Sequence, residues 1–155
     1  MSVKSTVRRQ YQTKIDSAAD AAARELAVPP EGWISTVRNA LGITGAQLGR
    51  LTGRTRATIS AAEKSERDGR ITLQSLDALA DAMDCKLVYA LLPREGSVSD
   101  LLEKQARKKA EALVSKASAH MALEKQALKA KERERQVQLL ASELLRDRPS
   151  EIWEH

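Results

Sequence analysis

Along the 155-residue chain, apolar side chains recur at every third or fourth position in several stretches, the period of helices with one buried face. Val7, Tyr11, Ile15, Ala18, Ala22 and Leu26 predict a helix over Ser5–Leu26. Val28-Pro29-Pro30-Glu31-Gly32 stops it, because two prolines and a glycine do not fit inside a helix. From Trp33 to Met83 the pattern breaks into short helices. Trp33, Ile34, Val37, Arg38 and Leu41 line the first, which Gly42 ends; Leu73, Leu76, Leu79, Ala80 and Met83 line the last, after the turn signal Asp68-Gly69. Lys86–Leu92 (Lys-Leu-Val-Tyr-Ala-Leu-Leu) is short, rich in β-preferring residues and closed by Pro93, so it predicts one short strand. Ser97–Arg148 lacks Gly and Pro and predicts one long helix or two. Its narrow stripe runs through Leu102, Ala106, Ala110, Leu113, Ala117 and Met121, then Val137, Leu140 and Leu144. The charged stretch Lys129–Gln136 interrupts the stripe and predicts a hinge. The fold class is therefore mainly α, in three regions: an N-terminal helix at 1–28, a domain at 33–93 ending in the strand, and a helical region at 97–148.

Composition supports that reading. Aromatics are only 3% and Phe is absent, so the apolar content is mostly Ala and Leu, which favour helices. Net charge is +5 and spread thinly along the chain, which permits a nucleic-acid partner without requiring one. The local distribution says more. Between Glu31 and Glu63 every charge is positive: Arg38, Arg50, Arg54 and Arg56, a footprint suited to a phosphate backbone. The single cysteine, Cys85, excludes an internal disulfide and a cysteine-paired zinc site. Met1–Lys14 is too polar for a signal peptide, and no stretch is apolar for long enough to cross a bilayer, so a cytoplasmic location without membrane contact is expected.

The acid-free segment also carries a helix-turn-helix pattern over roughly Thr44–Lys64. Such a unit needs a small residue where two helices cross, a glycine at the turn, and apolar inner faces. Leu48 faces inward, Gly49 is the crossing residue, Gly53 is the turn, and Ile59 and Ala62 form the inner face of the second helix. Capping agrees: Thr44 with Gln47 makes a capping box, and Thr55 is an N-cap for a helix running to Lys64. Burying Ile59 and Ala62 turns Arg56, Ala57, Ser60 and Ala61 outward, toward base edges in a major groove. Arg56 offers a fork to guanine O6 and N7, and the alanines offer close approach or contact with thymine methyls. Gln47, Arg50, Arg54, Thr55, Thr58 and Lys64 are placed to contact phosphates. Thr52 and Arg54 stand where apolar residues are usual, and a small helix rotation would let Leu51 fill the gap.

At Gln47–Glu63 the sequence resembles the phage-repressor-like (Xre/Cro-type) helix-turn-helix family. Further segments resemble the family called mobile mystery protein A, over nearly the whole chain. They are Pro29–Ile34, Arg38–Gly42, Gln47–Gly49, Ile71–Leu73, Asp84–Pro93, His120–Glu124, Leu144–Arg146 and Ile152–Glu154. That resemblance implies a gene beside one for a Fic-domain protein on a mobile element, arranged like a toxin–antitoxin operon, with this chain as antitoxin and autorepressor. Many Fic inhibitors carry Ser or Thr four residues before a Glu that is followed by Gly or Asn. Here Glu31-Gly32 follows Ala27 and Glu95-Gly96 follows Leu91, so neither site fits.

Other candidates read as structural. Cys85 has no base nearby in sequence and reads as a packed thiol. His120 and His155 lack a second ligand at helical spacing. Asp16 with Asp20, and Glu63 with Glu66, read as surface charges. No phosphate-binding glycine loop is present, and neither an enzyme activity nor a cofactor is expected. Leu87–Leu92 is either a lone strand or an edge strand paired across a dimer. Pairing satisfies its backbone groups and supplies two recognition helices, so a homodimer is expected. The Lys104, Arg107, Lys108 and Lys109 region reads as a solvated face first and as a partner surface second. The expected partners are double-stranded DNA, a second copy of the chain, and a Fic-domain protein.

Overall fold

A computed structural model describes residues 2–22, 26–123 and 130–155. Their order is α1 (Val3–Ala22), α2 (Trp33–Ala40), α3 (Gly45–Thr52), α4 (Arg56–Arg67), α5 (Leu73–Ala82), α6 (Val98–Leu123), α7 (Ala130–Asp147) and a 3-10 turn at Glu151–Trp153. The chain divides into two compact units, Ala22–Ala90 on one side and Met1–Ala21 with Leu91–His155 on the other. Among the described residues no helix is long and apolar enough to cross a membrane.

In the Ala22–Ala90 unit, each of four helices sends an apolar side chain to one core: Ile34, Leu48, Ile59 and Leu79, with Met83 at the end of α5. Val37, Ile43, Ala62, Ile71, Leu76 and Ala82 pack around them. Burial of each large side chain stabilises the unit by about 1.5–3 kcal/mol. Three of the helices begin in the same way. The hydroxyls of Thr44, Thr55 and Thr72 each accept a hydrogen bond from the backbone N–H three residues on, at 3.1 Å.

Helix α2 has no such cap. Its first N–H groups, on Trp33 and Ile34, donate instead to the Glu66 carboxylate from the far end of α4, at 2.6 and 3.0 Å. Gly32 makes room for that arrangement. Its φ is 85°, and a Cβ there would lie 2.7 Å from Glu66 Oε2. A second tie joins the same helices: Arg38 Nε donates to Glu63 at 2.7 Å, and its guanidinium also reaches the Ile43 carbonyl at 3.1 Å. Glu63 and Glu66 are therefore half-buried ties of the fold, where the sequence predicts surface charges. Anchored in this way, α4 continues to Arg67, three residues past the predicted Lys64.

Among the described residues no strand is found. Lys86–Leu92 runs without helix, turn or bend, and among the described residues its backbone makes no backbone–backbone hydrogen bond. Cys85, expected to pack as a core thiol, is exposed. Asp84 turns the chain there with a φ of 54°, and the Cys85 N–H returns to the Ala80 carbonyl at 2.8 Å, which ends α5.

In the other unit, α6 and α7 lie antiparallel against each other. Ala106, Ala110 and Val114 of α6 are buried with Val137 and Leu144 of α7 and with Ile152 of the 3-10 turn. The mate of the C-terminal stripe is thus largely the chain itself. The stripe also differs in phase from the prediction: Val114 is inside, while Leu113 and Ala117 are exposed. Met121 lies outside the residues whose side chains are described. The predicted hinge is not one over residues 130–136, which form the first turns of α7; Lys129 lies outside the described residues. Ser97 and Asp100 cap α6 reciprocally, through Ser97 N–H to Asp100 at 2.8 Å and Asp100 N–H to the Ser97 hydroxyl at 3.2 Å. The Ser97 N–H and the Ser97 hydroxyl, which donates at 3.0 Å, together hold the Asp100 carboxyl below the ordinary carboxylate range.

Helix α1 buries none of its residues. Asp16, predicted as a surface charge, accepts the Val98 N–H at the start of α6 at 2.9 Å. The predicted helix to Leu26 is described as helical only to Ala22: residues 23–25 lie outside the described residues, and Leu26 and Val28 are non-helical and exposed.

Candidate nucleic-acid interface

The helix-turn-helix expected from the sequence corresponds to α3, its turn and α4. The capping box at Thr44 is complete: Gln47 N–H donates to the Thr44 hydroxyl, and Thr44 N–H donates to Gln47 Oε1 at 2.8 Å. At the other end of α3, Gly53 adopts φ 66°, and the Arg54 N–H reaches back to the Gly49 carbonyl at 2.7 Å. Gly49 is buried where α3 meets the turn, and a Cβ there would stand 2.6 Å from the Arg54 carbonyl oxygen. Both glycines thus do what the pattern predicted, one by lacking a side chain and the other by accepting a left-handed backbone.

The gap at Thr52 is closed differently from the prediction. Leu51 is 61% exposed and fills nothing. Thr52 is half-buried and turns its hydroxyl back to the carbonyls of Leu48 and Gly49 at 2.8 and 3.2 Å, so its polar group is satisfied within α3. Arg54 is half-buried at the turn.

With Ile59 buried and Ala62 half-buried, Arg56, Ala57, Ser60 and Ala61 are all exposed on α4. Gln47, Arg50, Thr55, Thr58 and Lys64 are exposed as well, so nine of the ten predicted contact residues are open to solvent and only Arg54 is partly covered. Gln47 uses its carbonyl oxygen in the cap, which leaves its NH2 group to donate outward. The Thr55 and Thr58 hydroxyls lie 2.8 Å apart and share one hydrogen, so the other is free to reach an anion. The Arg56 stem passes over Gly45 at the start of α3, 3.7 Å from where a Cβ would be. That contact was not legible in the sequence.

The electrostatic footprint is narrower than the sequence suggests. Arg38, counted among the four arginines of the acid-free segment, is spent on Glu63 and the Ile43 carbonyl. Arg50, Arg54 and Arg56 remain, and Lys64, Arg67 and Arg70 add exposed charge along and just beyond α4.

No curated protein and no solved structure matches the chain. A helix-turn-helix family model does match, over residues 34–89, which takes in α2 through α5. Residues 34–89 are thus similar to helix-turn-helix domains, and this is the part of the chain that supports a DNA-binding regulator.

Proposed function

We propose that the chain is a sequence-specific transcriptional regulator that reads the major groove of duplex DNA with α4. The observation that carries this reading is the outward row Arg56, Ala57, Ser60 and Ala61 on a helix whose opposite side is held by Ile59, Glu63 and Glu66. Arg56 is the discriminating side chain, through guanine O6 and N7; Ser60 adds a hydrogen bond, and the alanines let the helix approach. Gln47, Arg50, Arg54, Thr55, Thr58 and Lys64 fix its position on the phosphates. One arginine flanked by alanines gives modest discrimination per copy, so the regulator works as a homodimer on a two-fold site. It acts in the cytoplasm, without a cofactor and without catalysing a reaction.

The finer assignment, an autorepressor of an operon shared with a Fic-domain protein, is supported by the resemblance of Asp84–Pro93 and the C-terminal segments to mobile mystery protein A. A second reading, an antitoxin-type protein that restrains that partner, is favoured by α1, where Val3, Val7 and Tyr11 are exposed on a helix that buries nothing.

A mobility-shift assay on DNA upstream of the gene tests the first reading. The unmodified chain shifts that DNA with an affinity that falls steeply with salt, and Arg56→Ala loses the specific shift while its circular dichroism is unchanged. Absence of salt-dependent affinity would sink DNA binding; an undiminished shift by Arg56→Ala would sink the base-reading role. Co-purification with the neighbouring gene product, from the whole chain and from a chain ending before Ser97, tests the second reading.

A further inference from the structure

The chain holds two tryptophans, two tyrosines and no Phe. One of each, Tyr11 and Trp153, lines a single groove of about 550 Å³ in the unit made by Met1–Ala21 and Leu91–His155. They are 60% and 51% exposed, whereas tryptophan is on average highly buried. Ile15, Leu102, Leu145 and Pro149 add apolar walls, and Arg8 lines the same groove. Tyr, Trp and Arg are the residue types that carry most of the energy in protein–protein contacts, and here all three meet. The apolar surface continues beyond the groove. Val3, Val7 and Tyr11 recur at i, i+4 and i+8 on α1, and all three are exposed on a helix that buries none of its residues. From Tyr11 that row runs on for on the order of 12 Å. A small ligand filling the groove would leave the row in water, whereas a helix laid along both would cover it.

We propose that α1 and this groove receive an acidic amphipathic helix of a partner protein. The proposal rests on the second reading above, that the chain restrains a partner, and says where and by what chemistry that partner is held. Charge selects the occupant. Met1–Ile15 carries Lys4, Arg8, Arg9 and Lys14 and no carboxylate. All four are exposed and, among the described residues, none forms an ion pair. Lys4 and Arg8 run beside the row of Val3, Val7 and Tyr11, and Lys14 Nζ lies over the Tyr11 ring, 5.9 Å from its centre. Arg107, Arg146 and Arg148 of the same unit each hold a carboxylate of their own chain. The cations of α1 are thus open to the carboxylates of another. Glu103 is the one carboxylate among the residues lining the groove, and it stands on α6. The occupant therefore turns its acidic flank toward α1 and an uncharged or basic flank toward α6. Single-stranded nucleic acid would use the two rings and the cations but leave Val3 and Val7 uncovered, so the aliphatic row favours a protein.

The test uses the whole chain in a Trp33→Phe background, so that Trp153 is the only tryptophan. The probe is an acetylated peptide of Leu, Ala and Glu, about 18 residues long, with its leucines on one helical face and its glutamates beside them. At micromolar concentration it should move the Trp153 emission to shorter wavelength, because the indole leaves water. The same peptide with Lys for every Glu should bind about tenfold more weakly, and so should the Glu peptide to Arg8→Glu or to Tyr11→Ala, both at exposed positions. Circular dichroism checks that the variants keep their helix content. Lys116→Glu, at an exposed position of α6 outside the groove, should bind as the unmodified chain does. No emission shift, an equal response to the Lys peptide, or undiminished binding by Arg8→Glu and Tyr11→Ala would each overturn the proposal. So would tighter binding of oligothymidylate that the same substitutions abolish, which would make the groove a nucleic-acid site. A mass by light scattering that falls to one copy in Tyr11→Ala would likewise overturn it, by making a second copy the occupant. Co-purification of the neighbouring gene product that survives Arg8→Glu removes the groove alone, and peptide binding without any co-purification removes the Fic-partner reading alone.

Discussion

At the scale of single residues, Gly49 bears the tightest steric demand in the helix-turn-helix unit. The atom a side chain there would strike, the Arg54 carbonyl oxygen at 2.6 Å, belongs to the backbone of the turn and cannot rotate away. Gly49→Ala should therefore destabilise the unit by about 1–3 kcal/mol, although alanine in a helix ordinarily gains about 1 kcal/mol over glycine. Urea unfolding followed by circular dichroism measures this, and unchanged stability would mean that the turn yields. Glu66 is the other exacting position. Glu66→Ala leaves the Trp33 and Ile34 N–H groups without their charged acceptor, and a loss of about 1.5–3 kcal/mol is expected in the same assay. The two residues differ in legibility. Gly49 stands one position after Leu48 and four before Gly53, a spacing that announces a helix-turn-helix. Glu66 acts on groups 32 and 33 positions away, which no local pattern announces.

At the scale of elements, the short helices of the Ala22–Ala90 unit were largely legible because their starts are written within four residues, as the caps at Thr44 and Thr55 show. The long C-terminal helices were legible as helices but not in phase. Over the 26 residues of α6 several nearly equivalent stripes can be drawn, and the contact with α7 selects Ala106, Ala110 and Val114. Val114→Asp should therefore melt this unit, while Leu113→Asp changes stability by less than about 0.5 kcal/mol, as for an exposed site. Thermal denaturation of the two variants decides it, and equal losses would restore the predicted stripe. Between the same helices, Arg107 donates to both carboxylate oxygens of Glu134 at 2.8 Å, which holds that carboxyl below its ordinary range. A carboxylate depressed in the folded state stabilises at pH values above its unfolded pKa and loses that contribution as the pH falls through the folded value. The melting temperature should drop between about pH 5 and pH 3, and the drop should be smaller in Glu134→Gln. An identical drop in both proteins would assign it to other carboxylates such as Asp100 and Asp147, which are also held low by their partners.

At the scale of the whole molecule, the proposed interface has a measurable electrostatic signature. Each phosphate contact contributes about 0.9 to the slope of log affinity against log salt on duplex DNA. Lys64→Ala should reduce that slope by about 1 per copy and weaken all sequences alike, whereas Arg56→Ala should weaken the specific site most. Arg38→Ala should leave the slope unchanged, because its guanidinium is already committed to Glu63 and the Ile43 carbonyl, and should instead lower stability. Titrations of the three variants at several salt concentrations test all of this together. The sequence by itself determined that the chain is mainly helical, where the helix-turn-helix lies, and which face of its second helix is open, since helix period, caps and turn glycines act over a few residues. Only the tertiary structure decided which charges stay on the surface and which hold the fold. Arg38 with Glu63, Glu66 with α2, and Asp16 with Val98 meet across 25 to 82 positions, separations that only the folded chain brings within a hydrogen bond.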